Sequence, residues 1–173
     1  MDKLLIIMRG LPGTGKSTIA KNIFDYQDHF PQEQLPAIDP TYGYDGPEIV
    51  SADSYMANAK GEFKYDASKL DANHAICFAH AIALLSKYRY PLVIIDNTNM
   101  TRHEISPYYM LGQAMGYRIL ILHVQPPNLY GGEAEFLAER NVHGVPEDAI
   151  AVMAERREAL PIHWPAEIYL SSP

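Results

Sequence analysis

The segment Gly10-Leu11-Pro12-Gly13-Thr14-Gly15-Lys16-Ser17 constrains this chain more than any other. It follows a continuous apolar run, Leu4 to Met8, and precedes a stretch of helical character that begins at Lys16. A short unbroken apolar run closed by a glycine-rich turn reads as a central strand of a parallel sheet, buried on both faces. The turn itself fits the pattern G-x-x-x-x-G-K-S, a Walker A loop. Its glycines let successive backbone N–H groups turn inward, and the helix that follows points the positive end of its dipole at the same spot. Such a strand, loop and helix predict a phosphate cradle. Gly10, Pro12, Gly13, Thr14, Gly15, Lys16, Ser17 and Thr18 are therefore the expected nucleotide-binding residues. Lys16 should reach the β- and γ-phosphates of ATP and act in catalysis, and the Ser17 hydroxyl should ligate Mg2+.

The rest of the chain alternates strand and helix signals. A helix is expected from Lys16 to about Asp28, then a long loop over 29–47, where Pro31, Pro36, Pro40, Gly43, Gly46 and Pro47 surround Tyr42 and Tyr44. Glu48 to Ser51 reads as a second strand. Ala67 to Lys87 reads as a helix whose packed face carries Ile76, Ala79 and Ala83. Pro91 to Asp96 is the clearest later strand, followed by a helix near Ser106 to Met115 that Gly116 ends. Tyr117 to Val124 is a further strand. A short helix is expected over Phe136 to Asn141. Another begins near Pro146, with Glu147 and Asp148 in its first turn and Arg156 and Arg157 near its end, as the helix dipole favours. Ala166 to Leu170 supplies a final edge strand. This order predicts a single domain over 1–173 of the three-layer α/β/α P-loop NTPase class, with a mostly parallel five-stranded sheet and a short helical lid over 133–145.

Two carboxylates should share the edge of the sheet where the phosphate loop opens. Asp96 ends the strand Val93-Ile94-Ile95, the position from which a Walker B aspartate meets the metal; a cap on the following turn is its plainer alternative. Asp53, in Ser51-Ala52-Asp53-Ser54-Tyr55, suits a general base that takes a proton from an acceptor hydroxyl. The alternative there is the N-cap of a short helix containing Tyr55. Arg140 and Asn141 could form a lid that brings the Arg140 guanidinium to a transferring phosphoryl, or Arg140 could form a surface salt bridge with Glu135 or Glu139.

With the Walker A loop, Ser51-Ala52-Asp53-Ser54-Tyr55, Asp96-Asn97-Thr98-Asn99 and Glu139-Arg140-Asn141-Val142-His143-Gly144-Val145-Pro146 in this order, the chain resembles the polynucleotide-kinase-like P-loop kinases, within the zeta-toxin and nucleotide-kinase group of P-loop NTPases. The resemblance implies Asp53 as general base, the Asp-Asn-Thr-Asn stretch at the active site, Arg140 as a catalytic lid residue and the phosphate-loop strand in the middle of the sheet. Phage-type members carry an acidic residue and then an arginine after the base, where this chain has Ser54 and Met56.

Composition narrows the partners. A formal net charge of −7 argues against a broad basic face that grips long duplexes, although a local basic pocket remains open. The seven histidines show no metal-site spacing, and Cys77, the one cysteine, reads as a small buried thiol. No apolar run reaches membrane-spanning length and the N-terminal run is short for a signal peptide, so a cytoplasmic protein is expected. The acceptor expected from the resemblance is a hydroxyl on nucleic acid, either a DNA 5′ end or a modified base such as 5-hydroxymethyluracil, on which Tyr42, Tyr44, Tyr55 and Tyr65 could stack. A nucleoside or other small-molecule acceptor suits the acidic charge, and a non-catalytic ATP-binding switch is the third reading.

Overall fold

The computed structural model describes residues 3–25, 48–56, 66–126, 133–165 and 167–171. The expected 29–47 loop, with Tyr42 and Tyr44, and Tyr65 lie outside the described residues. Strand β1 (Lys3–Arg9) runs through the middle of a five-stranded, wholly parallel sheet of order β2-β3-β1-β4-β5. The other strands are β2 (Glu48–Val50), β3 (Leu92–Ile95), β4 (Tyr117–Gln125) and β5 (Glu167–Ser171). β1 pairs with β3 from Leu4 opposite Leu92 to Ile7 opposite Ile95, and with β4 from Lys3 opposite Tyr117 to Arg9 opposite His123.

Because alternate residues of a strand face opposite sides, β1 feeds two cores. Leu5 and Ile7 join Val93 and Ile95 under α2 (Leu70–Ile82) and α3 (Arg102–Ala114), which contribute Cys77, Ala81, Ile105, Tyr108 and Tyr109. Leu4, Ile6 and Met8 join Ile94 on the other side against Ala20 and Ile23 of α1 (Lys16–Asp25). A third cluster sits at the carboxyl edge. There Leu11 and Met100 pack with Leu137 of α4 (Glu133–Arg140), Ile150 of α5 (Glu147–Glu155) and Val145 between the two helices. Helices thus cover both faces of the sheet in three layers, and the α4–α5 pair roofs the end where β1 finishes.

Several sequence expectations are corrected. The packed face of α2 is not Ile76, Ala79 and Ala83 but Asn73, Cys77 and Ala81, continued by Leu84 and Leu85; Ile76 is 49% exposed. An alanine-rich stretch offers similar apolar spacing on neighbouring faces, so the larger leucines past its end decide which one turns inward. The expected single helix is also composite. A 3-10 turn at Ala67–Lys69 precedes α2, and a π-helical turn, Ala83–Tyr88, ends it at Arg89, whose φ is 57°. Ser86 donates its hydroxyl to the Ile82 carbonyl at 2.6 Å, a back-bond that competes with the backbone ladder in this turn. α3 begins four residues before the expected Ser106. Thr101 and Glu104 form a reciprocal capping box, the Thr101 side chain accepting from Glu104 N and the Glu104 carboxylate from Thr101 N. Pro107 therefore lies inside the helix.

α3 approaches the sheet closely because Gly112 has no side chain. A Cβ there would stand 2.7 Å from Leu5 Cδ2 and 3.2 Å from Ile119 Cδ1. Gly112→Leu is expected to cost about 2–3 kcal/mol through overpacking, read as a lower urea midpoint at unchanged slope. An unmoved midpoint would show that α3 does not lie this close.

Candidate active site

The carboxyl end of β1 passes into a loop that only glycine can enter. Gly10 has φ 141°, donates its N–H to Thr98 O at 3.0 Å, and would place a Cβ 2.4 Å from Val124 O. Gly13, at φ 80°, would meet Leu137 O at the same 2.4 Å. Both residues are needed because neighbouring backbone runs alongside. The Leu11 carbonyl then gathers the loop, accepting from Thr14 N at 3.4 Å, Thr14 Oγ1 at 2.9 Å and Lys16 Nζ at 2.7 Å.

A cavity of about 370 Å³ opens against this loop. Pro12, Gly13, Gly15, Lys16, Ser17 and Thr18 line it from the loop and the start of α1. Of the other expected nucleotide ligands, Gly10 shapes the exit of β1 without lining the cavity. Thr14 is fully buried, with its hydroxyl turned back to Leu11. Asp96, Asp53 and Arg140 line the same cavity from the ends of β3, β2 and α4. The parallel sheet accounts for this, because Val50 and Ile95 sit opposite each other in register and both strands end at the edge where β1 ends.

Each of the three sits differently. Asp53 lies in a short 3-10 helix, Ala52–Tyr55, whose N-cap is Ser51, so the capping alternative for Asp53 does not hold. Its backbone N–H is taken by Ser51 Oγ at 3.3 Å, while its side chain is 46% exposed toward the cavity. Asn97 holds this turn in place. Its Oδ1 accepts from Ala52 N at 2.9 Å and its Nδ2 donates to Cys77 Sγ at 3.4 Å, with Tyr108 OH donating to the same sulfur at 3.4 Å. Arg140 ends α4 with its guanidinium 5.2 Å from the Phe136 ring centroid, within cation–π range. The expected partnership of Arg140 and Asn141 divides. Asn141 turns its amide inward, donating to Ala138 O at 2.8 Å and Val145 O at 3.1 Å and accepting from Val145 N at 2.8 Å, so it braces the turn after α4.

Lys16 and Asp96 are both buried, and burial is the main influence on each. Removal from water pulls the Lys16 amine down to about 8, with Asp96 and then Asp53 pulling back. Burial pushes the Asp96 carboxyl up, opposed first by a hydrogen bond from Ser17 and then by Lys16. One oxygen of Asp96, Oδ1, is buried with no hydrogen-bond partner. An unsatisfied buried carboxylate oxygen beside a serine hydroxyl is a hard-oxygen donor pair that fits Mg2+, which takes one or two protein oxygens and completes its shell with phosphate and water.

Three further polar residues near the site have structural work. Arg9 is fully buried and donates to Met100 O at 2.9 Å and to Glu158 O. Asn99, at φ 48°, donates to Met8 O at 2.7 Å. Arg102 donates to Ala159 O at 2.7 Å. Sequence reasoning gave Asp71 and His74 no place in the site and His143 only a place in the expected lid, with no role of its own; all three line the cavity. His143 Nε2 stands 3.6 Å from Asp53 Oδ2, a contact across ninety residues of chain that no local pattern signals.

A family model described as AAA domain matches residues 5–160. NEDD4-binding protein 2 from Homo sapiens is 32% identical over 152 residues, which is 88% of this chain and 7% of that protein. The chain thus spans a small part of the relative it matches. Among solved structures, Kti12 from Chaetomium thermophilum in complex with ADP-AlF3 superposes with a TM-score of 0.64 at 18% identity, covering 96% of this chain and 88% of that one. The APS kinase of Mycobacterium tuberculosis in complex with AMPPNP and APS gives 0.54 at 14% identity, covering 98% and 88%. The shared architecture is the P-loop NTPase fold of kinase-like domains. No helix among the described residues is long and apolar enough to cross a membrane.

With its pKa lowered to about 8 from the usual 10.5, Lys16 binds fewer protons in the folded chain than in the unfolded one between those values. The nucleotide-free protein should therefore gain stability as pH rises through that window. Arriving phosphate reverses the balance, so nucleotide binding at pH 8 should take up about half a proton, measured by calorimetry in buffers of different ionisation enthalpy. Lys16→Arg should abolish the uptake, and proton release on binding would contradict the assignment.

Proposed function

Because the chain belongs to the AAA domain family AAA_33, a kinase-like P-loop family, we propose that it is an ATP-dependent kinase that transfers the γ-phosphate to a hydroxyl on nucleic acid. The acceptor is a DNA 5′ end or a hydroxymethyl group on a base such as 5-hydroxymethyluracil. The observation that carries the kinase reading is the meeting of Lys16, Ser17, Asp96, Asp53 and Arg140 on one cavity. A switch that only binds nucleotide needs the first three. It has no use for a second carboxylate that caps nothing and faces the cavity. The nucleic-acid acceptor rests on the resemblance of the four motifs to polynucleotide-kinase-like enzymes.

In this reading Lys16 and the backbone N–H groups of the loop hold the phosphates, and Arg140 brings positive charge to the transferring group. Asp53 accepts the proton of the acceptor hydroxyl as that oxygen bonds to the γ-phosphorus; the bond from the γ-phosphorus to the bridging oxygen breaks, and ADP leaves with the electron pair. Ser17 and Asp96 would hold Mg2+, which supplies charge neutralisation at the phosphate oxygens when bound.

One observation favours a smaller acceptor. The first turns of α2 present Leu70, Asp71 and His74 to the cavity, and a carboxylate there repels a phosphodiester while it hydrogen-bonds a sugar or nucleoside hydroxyl. Both acceptors are therefore tested together. γ-Labelled ATP with Mg2+ is offered to 5′-hydroxyl oligonucleotides, 5-hydroxymethyluracil DNA and free nucleosides. Label should enter one class, and Asp53→Asn should lower its kcat about 10²- to 10⁴-fold with the KM for ATP little changed. ATP binding with label entering none of them would end the nucleic-acid reading.

A further inference from the structure

His143 lies on the turn after α4, and that turn is not a loose loop. Asn141 bridges it with bonds to Ala138 O, Val145 O and Val145 N. Val145 is buried in the cluster with Leu11, Met100, Leu137 and Ile150, which fixes the turn to the phosphate loop itself. The far side is fixed as well, because Ser51 and Asn97 hold the backbone on which Asp53 rides. Between these two anchored backbones, His143 Nε2 stands 3.6 Å from Asp53 Oδ2.

We propose that His143 is a positioning residue for the Asp53 carboxylate, and that the braced turn makes Arg140 and His143 one unit that indexes the donor side of the cavity to its acceptor side. The inference rests on the kinase reading of Asp53. A carboxylate that is 46% exposed and bonded only through its backbone turns freely about its side-chain torsions. An imidazole N–H facing Oδ2 limits that rotation and leaves Oδ1 for the acceptor hydroxyl. The 3.6 Å separation is roughly 0.6 Å longer than an N–H···O hydrogen bond, so a small side-chain adjustment completes it. Arg140 sits three residues before His143 on the same bracing, so a displacement of the turn moves both groups together.

The plain alternative is an exposed ion pair with little effect on anything. The test uses His143→Ala and His143→Gln in the full chain, with γ-labelled ATP and whichever of a 5′-hydroxyl oligonucleotide, 5-hydroxymethyluracil DNA or a nucleoside the wild type labels fastest. His143→Ala is expected to lower kcat about tenfold or more while the KM for ATP stays within about twofold, a loss of orientation and not of binding. His143→Gln, whose amide can donate to the same oxygen, should recover most of that loss. On an Asp53→Asn background, adding His143→Ala should change kcat little further. An unchanged kcat in His143→Ala, or the same fold-loss on both backgrounds, would overturn the proposal. A second readout needs no turnover: Asp53→Asn should shift the His143 ring nitrogen resonances, whereas Glu135→Gln on the exposed face of α4 should not. If the wild type labels none of these acceptors, the nucleic-acid reading fails by itself; the ring resonances then decide the contact, and an unmoved His143 signal overturns it.

Discussion

The site depends on how closely backbone approaches backbone at the exit of β1. Gly10 passes the Val124 carbonyl and Gly13 passes the Leu137 carbonyl, each at a distance where any Cβ would collide. Those two approaches bring the end of β4 and the body of α4 against the loop, so the roof of the cavity and its floor are set by the same few atoms. Further bonds lock the junction from below, Gly10 N to Thr98 O and Asn99 Nδ2 to Met8 O. The stretch after β3 thus serves two purposes. Asp96 faces the cavity, while Asn97, Thr98 and Asn99 fasten three strand ends to one another.

That rigidity has an electrostatic use. Lys16 and Asp96 are buried, and burying a charge is costly unless partners offset the lost hydration. Here the offset is partial. The amine rests on a neutral carbonyl, Leu11 O, and one Asp96 oxygen has no hydrogen bond. Such a site gains when phosphate and a cation arrive, because each ligand meets a charge already desolvated and held in place. Asp53 stands apart from this arrangement: it is half-exposed, held through its backbone, and turned toward open cavity.

Similarity to known proteins reaches the fold and the family, and its limits are informative. The P-loop NTPase architecture extends across nearly all of this chain in Kti12 at 18% identity, so one fold accommodates wide sequence change. What differs between members of such a fold is the acceptor side, built from loops and helix ends. In this chain that side includes Asp71 and His74 from α2 and His143 from the turn after α4.

Local signals settled much of this architecture. The apolar runs at Leu4 to Met8 and Val93 to Ile95 each became strands, because a strand buried on both faces admits little else, and Tyr117 to Val124 became a third. The Walker A glycines, and the placement of Asp53 and Asp96 just beyond strand ends, were legible because parallel pairing in register brings strand ends to one edge. Sequence misread what depends on neighbours: the buried face of α2, where alanine spacing is ambiguous until Leu84 and Leu85 choose a side. The burial of Arg9 is likewise decided by neighbours, the Met100 and Glu158 carbonyls that accept from it. The role of Asn141 as a brace and the approach of His143 to Asp53 were decided only by tertiary structure. Both depend on where α4 docks, and that follows from the burial of Leu137 and Val145 against Leu11, a contact between residues more than a hundred positions apart that no periodicity records.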